Sequence, residues 1–270
     1  MNEYLENNRS LWNGWTRLHK PSRFYDVDSF KTGESTLKPL ELAEVGDVQG
    51  KSLLHLQCHF GMDTLSWARR GARVTGVDFS DEAVTFARSL AAELDIPAEF
   101  VRSNVYELPA ALEGRFDIVY TSYGVLSWLP ELDPWAKVVA HFLKPGGCFY
   151  IAEYHPFVSM LGADNRTFEY PYFHTPEPIK LHSVGSYAAP EATAFSHTEY
   201  NWSHSLADVV NALLRAGLRL EFLHEFPYWD AQPFATQESG EESGADESRL
   251  GGWAVEIPHV FSLRARRDGE

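Results

Sequence analysis

Cysteine, long apolar runs and positive charge are all scarce in this sequence. The 270 residues include only two cysteines, Cys58 and Cys148, which predict neither a disulfide framework nor a zinc site. No apolar run approaches the roughly 20 residues that a membrane-spanning helix needs. Residues 1–6 lack the basic start and apolar run of a signal peptide. We therefore expect a cytoplasmic protein that binds neither a metal nor a membrane.

The charge balance limits the class of partner. Lys and Arg number 23 against 38 Asp and Glu, which gives a formal net charge of -15. Because a nucleic-acid partner usually requires a basic face, we expect a small molecule instead. Hydrophobic residues make up 44% of the chain, and no linker divides it. We expect a single domain over residues 1–270, as a monomer or a homodimer.

The best-defined pattern lies in residues 51–80. An apolar run at 53–56 is too short for a helix and predicts a buried strand. A turn follows and ends at Gly61, residues 62–70 have helical spacing, and a second strand at 73–77 delivers Asp78. A parallel strand–helix–strand unit of this kind binds a nucleoside over its strand ends, with the acid accepting hydrogen bonds from ribose hydroxyls.

The dinucleotide fingerprint G-x-G-x-x-G is missing, and another family fits better. Residues 55–61 read H-L-Q-C-H-F-G, and this loop resembles the D-L-G-C-G-x-G loop of class I S-adenosylmethionine-dependent methyltransferases at Cys58 and Gly61. The pattern F-D-x-V-x at 116–120 and the run L-K-P-G-G at 143–147 also resemble that family. The resemblance is strongest over residues 51–153.

The resemblance implies an α/β fold with a doubly wound, mostly parallel seven-stranded sheet. An antiparallel strand pair at 218–226 and 258–266 would close the sheet, a helical cover would precede it, and a lid would be inserted. We expect four parts: a cover at 1–50, a cofactor-binding core at 51–156, a lid at 157–203, and the final helix and strands at 204–270. Residues 237–248, rich in Glu, Ser and Gly, predict a mobile loop.

The resemblance also implies the cofactor, S-adenosyl-L-methionine, with S-adenosyl-L-homocysteine as the product. It assigns Asp78 to the ribose, Asn104 to the adenine and loop 57–61 to the methionine end. Asn104 stands where the family has an aspartate, and it is equally compatible with a simple Asx turn. The full set of expected cofactor-binding residues is Gln57, Cys58, His59, Gly61, Asp78, Phe79, Asn104, Val105 and Thr121.

Two residues are candidates for catalysis. His155 follows the fifth strand, at the sheet edge where ligands bind, and its ordinary pKa lies near neutrality. Tyr123 lies in the loop after the fourth strand, which borders cofactor and substrate in the family that the chain resembles. Glu153 is a weaker alternative, and His155 is also compatible with a structural role.

Aromatic side chains are the candidates for binding the methyl acceptor. Residues 3–19 have helical apolar spacing and predict a helix, which either covers the sheet or closes Trp12, Trp15, His19 and Tyr25 over the ligand. Residues 157–203 are rich in aromatics, prolines and histidines and predict a lid, a dimer arm or an extra sheet. The expected substrate-binding residues are Trp12, Tyr25, Trp128, Tyr172 and His174, with Phe173, Tyr187 and His197 as further lid candidates.

The sequence therefore predicts a methyltransferase that transfers a methyl group to an O, N or C nucleophile of a small molecule. Two alternatives stay open: a scaffold or sensor that binds S-adenosylmethionine without catalysis, and a methyltransferase acting on RNA or protein. A dinucleotide oxidoreductase is a more distant alternative.

Overall fold

Helices and strands alternate as the sequence predicts. The computed structural model describes residues 3–162, 165–227 and 256–269. The predicted loop at 237–248 lies outside these residues. The helices are α1 (Glu3–His19), α2 (Val27–Lys31), α3 (Pro39–Val45), α4 (Met62–Arg69), α5 (Asp81–Glu93), α6 (Leu108–Ala111), α7 (Leu132–Phe142) and α8 (Leu206–Arg215). The strands are β1 (Ser52–Leu56), β2 (Arg73–Asp78), β3 (Ala98–Arg102), β4 (Phe116–Ser122), β5 (Leu143–Tyr154), β6 (Ile179–Val184), β7 (Ser196–Asn201), β8 (Leu218–Phe226) and β9 (Val260–Arg267).

One sheet of seven strands has the order β3-β2-β1-β4-β5-β9-β8. Strands β1 to β5 pair in parallel, whereas β9 runs antiparallel to both β5 and β8. This arrangement confirms the predicted fold class, including the antiparallel strand pair. The order reverses between β1 and β4, so the carboxyl ends of these strands diverge there and leave a crevice for a ligand.

Both faces of the sheet are buried, which explains the unbroken apolar run in β1. Leu54 packs on one face with Trp135 of α7 and Val209 of α8. Leu53 packs on the other face with Leu40 of α3 and Trp67 of α4. Strands of a parallel sheet that is covered on both sides need apolar residues at successive positions.

Helix α1 and the β6–β7 hairpin together cover the carboxyl edge of the sheet. The Asn8 amide donates to the Tyr200 carbonyl at 2.7 Å and accepts from the Tyr200 N–H at 3.0 Å. The Trp15 indole N–H donates to the carbonyl of Gly185, in the turn of the hairpin, at 3.0 Å. The outer edge of β7 is therefore satisfied by side chains of α1 instead of another strand.

No helix in the described ranges is long and apolar enough to cross a membrane.

Phe100 of β3 supports the loop after β1 because two nearby glycines leave room for its ring. A Cβ atom on Gly76 of β2 would lie 2.7 Å from the Phe100 ring and 2.9 Å from Cys58 Sγ. One on Gly61 would lie 2.5 Å from the same ring. Because Gly61 and Gly76 have no side chains, the loop can lie directly against the Phe100 ring.

Gly76→Ala should destabilise the protein by about 1–3 kcal/mol, since an added methyl group overpacks a filled core. Urea denaturation measures this change as a lower midpoint. Gly269→Ala is the matched control, because a Cβ atom there meets nothing within 4 Å. A Gly76→Ala variant as stable as the control would contradict this packing.

Candidate functional site

A cavity of about 1070 Å³ lies at the carboxyl edge of the sheet, beneath α1 and the hairpin. Its walls come from the ends of β1, β2 and β4, the loops that follow them, α1, and the hairpin. The predicted site residues that line it are Gln57, Cys58, His59, Gly61, Asp78, Phe79, Asn104, Val105, Tyr123, Trp12, Tyr25 and Trp128, together with Trp15, Tyr187 and His197. The structure thus brings most of the predicted cofactor and substrate residues to one place.

The loop after β1 has left-handed backbone at three positions, although only one of them, Gly61, is a glycine. Gln57 has φ 57° and His59 has φ 50°, both in the left-handed region, and Gly61 has φ 80°. A left-handed conformation costs a residue with a side chain about 1–3 kcal/mol, and such conformations cluster at ligand sites. Tertiary hydrogen bonds hold the loop in this shape: the Cys58 N–H donates to the Val77 carbonyl at 2.9 Å, for example.

Asp78 lies at the end of β2, where the sequence places it. Its Oδ2 accepts from the His59 N–H at 2.8 Å and its Oδ1 from the Ser80 N–H at 2.9 Å. Burial raises the pKa of Asp78 to about 7, although the backbone donors oppose this rise. Each oxygen keeps a second lone pair, so the carboxylate can still accept two hydroxyl groups from a ligand.

Asn104 forms the predicted Asx turn and also lies at the cavity wall. In this turn its Oδ1 accepts from the Tyr106 N–H at 3.1 Å. Phe79 and Val105 lie beside it along the same wall. Thr121 is buried and does not line the cavity, because its hydroxyl donates to the Leu56 carbonyl at 3.0 Å and joins β4 to β1.

Glu153 positions the loop after β4. Its carboxylate accepts from the backbone N–H groups of Gly124, of Val125 at 2.7 Å and of Leu126 at 3.1 Å. The next residue after β4, Tyr123, lines the cavity and has a buried hydroxyl that finds no partner among the described residues. Burial raises the pKa of this phenol far above its ordinary value, so Tyr123 is suited to donate a hydrogen bond.

Besides Thr121, the predicted residues that lie away from the cavity lining include His155, Tyr172, Phe173 and His174. His155 is buried, with Nε2 2.8 Å from Glu225 Oε1 on β8 and Nδ1 accepting from the Phe157 N–H at 3.1 Å. The Tyr172 hydroxyl lies 3.5 Å from the Leu206 N–H. His174 stacks on His204, with ring centroids 5.0 Å apart. His155 thus contacts β8, whereas Tyr172 and His174 contact the start of α8 and the residue before its cap.

Aromatic rings close the cavity from above. Trp12 contacts Trp128 edge-on with centroids 5.2 Å apart, and Trp15 contacts Tyr187 at 5.7 Å. The hydroxyl groups of Tyr25 and Tyr187 hydrogen-bond to each other across the mouth between α1 and the hairpin. Such edge-to-face pairs are worth about 0.5–1.5 kcal/mol beyond their buried area, so the cover is held in a defined position.

Two acidic side chains that were not predicted from the sequence, Glu41 and Asp63, lie at one end of the cavity. Glu41 of α3 accepts from the Tyr120 hydroxyl and from the Lys38 N–H at 2.9 Å. Asp63, in the first turn of α4, accepts from Thr36 and lies 3.3 Å from Ser122 Oγ. The Lys38 ammonium lies 3.9 Å above the Tyr123 ring. A glutamate beside two leucines near a helix start was the one available signal.

No group of three His, Cys, Asp or Glu side chains among the described residues has the geometry of a metal site.

Comparisons with known proteins identify the fold and a domain family that matches part of the chain. Residues 53–147 match the methyltransferase domain family. A ubiquinone biosynthesis O-methyltransferase of Escherichia coli is 32% identical over 130 residues, which are 47% of this chain and 54% of that protein. The chain therefore spans about half the length of the curated relatives it matches.

Solved structures agree at the level of the fold. An S-adenosylmethionine-dependent methyltransferase from Mesorhizobium loti superposes with a TM-score of 0.55 and 22% identity, covering 88% of this chain and 100% of the other. A glycopeptide N-methyltransferase complexed with (S)-adenosyl-L-methionine gives 0.54 and 17%, covering 87% and 89%. The sheet with its reversed last strand has the class I methyltransferase fold. The match to the methyltransferase domain family covers residues 53–147, in the cofactor-binding half of that fold.

Glu41 should make the stability of the protein depend on pH. Burial raises the pKa of Glu41 to about 8, well above its ordinary value of about 4.3. The folded protein therefore keeps a proton that the unfolded chain releases, so the free energy of unfolding falls as the pH rises between about 4 and about 8.

Glu41→Gln should lack this decline, since the amide resembles the protonated acid in shape. Urea denaturation at about pH 5 and about pH 8 measures the free energy of unfolding of both proteins. From the lower to the higher pH, the variant should become more stable relative to the wild type, by up to about 1.4 kcal/mol per unit of pKa shift. The exposed Glu113→Gln is the control. Parallel curves for wild type and Glu41→Gln would mean that Glu41 titrates as an ordinary carboxyl.

Proposed function

We propose that this protein transfers the methyl group of S-adenosyl-L-methionine to a small molecule and releases S-adenosyl-L-homocysteine. The observation that carries the proposal is the Asp78 carboxylate, which lies against a left-handed loop at the point where the strand order reverses. The loop keeps its conformation although two glycines are replaced. That retention supports binding of the cofactor, which both the enzyme and the alternative of a non-catalytic scaffold require.

The cavity residues suit each part of the cofactor. Asp78 would accept the ribose hydroxyls, and Asn104, with Phe79 and Val105 beside it, would hold the adenine. Gln57 would meet the methionine end: its Nε2 donates to the Val125 carbonyl at 3.0 Å, while its Oε1 is buried without a partner among the described residues. An unpartnered buried oxygen suits the ammonium group of an amino acid.

The bound cofactor supplies an activated methyl group on a sulfonium, so the protein has mainly to align the acceptor and exclude water. The aromatic rings of Trp12, Tyr25 and Trp128 would attract the sulfonium cation to their faces. As part of the cavity wall, they would also separate the reacting atoms from solvent. Tyr123 would orient the acceptor by donating a hydrogen bond.

The enclosure by α1 and the hairpin supports a small-molecule acceptor, since a nucleic acid or a protein needs an open surface. The volume of about 1070 Å³ is at the upper end of ligand pockets, which supports a site for cofactor and acceptor together. The O-methyltransferase relative points in the same direction. We therefore propose that residues 157–203 form a substrate lid on a single domain. We also propose the cytoplasm as the compartment.

Calorimetric titration with S-adenosyl-L-methionine, S-adenosyl-L-homocysteine and NAD tests the proposal. The two sulfur nucleosides should bind, and NAD should not. Asp78→Ala should weaken binding by about 100-fold or more, because two hydrogen bonds to a charged group are lost at about 1.5–3 kcal/mol each.

Asp133→Ala is the control variant. Asp133 lies on the surface, paired with Arg215 at 2.6 Å, and its loss should leave the affinity unchanged. Circular dichroism confirms that each variant is folded. Equal affinity of the wild type and a folded Asp78→Ala for both sulfur nucleosides would remove the assignment.

A further inference from the structure

His59 places a side chain where the family that this chain resembles has a glycine. The residue lines the cavity, and its Nδ1 is buried with no partner among the described residues. Its other nitrogen, Nε2, lies 3.0 Å from Nδ1 of His19 on α1. The imidazole therefore has one nitrogen directed to a partner and one left for a ligand.

His19 extends this contact away from the cavity. Its Nε2 lies 3.1 Å from Oγ of Ser186 in the hairpin, and Ser186 Oγ also accepts from the Ala189 N–H at 3.1 Å. His19 lies between two rings, stacked on Trp15 at 5.9 Å and on Tyr25 at 5.1 Å between centroids. We call His59, His19 and Ser186 the histidine line. It joins the loop after β1, α1 and the hairpin.

The hydrogen bonds of the histidine line admit a defined proton arrangement. If His19 donates from Nε2 to Ser186, its Nδ1 accepts from His59 Nε2, and His59 Nδ1 then presents a lone pair to the cavity. Burial lowers the pKa of His19 to about 4 and lowers that of His59 well below its ordinary value. Both rings are therefore neutral near pH 7, as a proton acceptor must be.

The walls around His59 indicate the class of acceptor. Aromatic rings dominate the α1 and hairpin side, and Lys38 is the one Lys or Arg among the described residues that line the cavity. Because Lys38 lies over Tyr123 at the acidic end, the described lining has no lysine or arginine on the aromatic side to compensate a phosphate or a carboxylate. A neutral planar ring fits this side best, and a hydroxyl group on it would find the lone pair of His59.

We propose that His59 is the general base for methylation of a phenolic hydroxyl, and that His19 positions it and takes up the positive charge. This proposal rests on the proposed function. As the phenol oxygen forms its bond to the methyl carbon, the carbon–sulfur bond breaks and its electron pair stays on sulfur. The phenol proton goes to His59 Nδ1, and the proton on His59 Nε2 goes to His19 Nδ1.

The charge balance favours this route. The sulfonium charge disappears in the step in which an imidazolium forms on His19, so the net charge of the buried site does not change. The new cation stacks on the rings of Trp15 and Tyr25, whose faces attract positive charge. After the product leaves, His19 returns its proton to His59 Nε2 and His59 Nδ1 gives its proton to solvent, which restores the starting tautomers.

Nitrogen-15 NMR of the histidine rings, in the protein without cofactor at about pH 7, tests the ground state that the proposal requires. His59 should carry its proton on Nε2 and have a bare Nδ1, and His19 should show the same tautomer. A proton on His59 Nδ1, or a positive charge on either ring, would overturn the proposal without any assay of activity.

The second test compares two acceptors, 4-methylphenol and 4-nitrophenol, at a pH where only 4-nitrophenol is ionised. His59→Gly restores the glycine of the family loop and removes the base. Methylation of 4-methylphenol should fall by about 100- to 10,000-fold, whereas that of 4-nitrophenol, which has no proton to lose, should change by less than about tenfold. His19→Phe keeps the ring stack and should give the same pattern with a smaller loss.

His182→Asn is the control for the hairpin, because His182 bonds to Thr198 on β7 and does not line the cavity. It should methylate both phenols as the wild type does. Equal slowing of both phenols in His59→Gly would indicate a structural role and overturn the proposal, as would unchanged methylation of 4-methylphenol. Wild-type protein that binds S-adenosyl-L-homocysteine but methylates neither phenol would also overturn it, whereas failure to bind the nucleoside would count against the proposed function itself.

Discussion

The hydrogen bond from the His59 N–H to the Asp78 carboxylate, at 2.8 Å, is the contact on which the site depends. It joins the loop after β1 to the end of β2, so the residue proposed to bind the ribose also fixes the backbone proposed to bind the methionine end. Two residues with side chains stay in a left-handed conformation there, which is unfavourable for each of them alone. The surrounding contacts, including the Phe100 ring beneath Gly61 and Gly76, hold the loop in place.

The cover converts an open sheet edge into an enclosed cavity. Asn8 and Trp15 of α1 bond to backbone groups of the hairpin, and Tyr25 bonds to Tyr187 across the mouth. The enclosed volume has a low effective dielectric constant, which accounts for the raised pKa of Asp78 and Glu41 and the lowered pKa of His19. Burial that stabilises the cover therefore also sets the protonation of the groups inside it.

Local patterns in the sequence predicted the sheet and the cavity wall that carries Asp78, because these features depend on residues close to one another in the chain. Strand, turn and helix follow one another in residues 51–80, and Asp78 must lie at the end of its strand whatever the rest of the chain does. Ser80 is a second case, since its side chain caps α5 by accepting from the Ala83 N–H.

Long-range contacts decided the features that the sequence did not predict. Glu41 and Asp63 approach one another only because α3 and α4 pack on the same face of the sheet. His155 follows the correct strand, yet its ring lies beside Glu225 because β8 and β9 extend the sheet past that point. The partner of His59 comes from a helix forty residues away. The left-handed backbone at Gln57 and His59, which allows the contact, could not be read from the sequence because neither residue is a glycine.

The bond between Asn8 and Tyr200 spans 192 residues of chain, and this separation bears on how the protein folds. Contacts between distant parts of a sequence form late, because the entropy of closing a long loop must first be overcome. The amino-terminal helix is synthesised first, and although Arg9 and Asn13 can bond to the start of α5, its contacts to the hairpin must wait until residues 179–201 are made. Trp15 therefore lacks its partners in the hairpin for most of the synthesis of the chain.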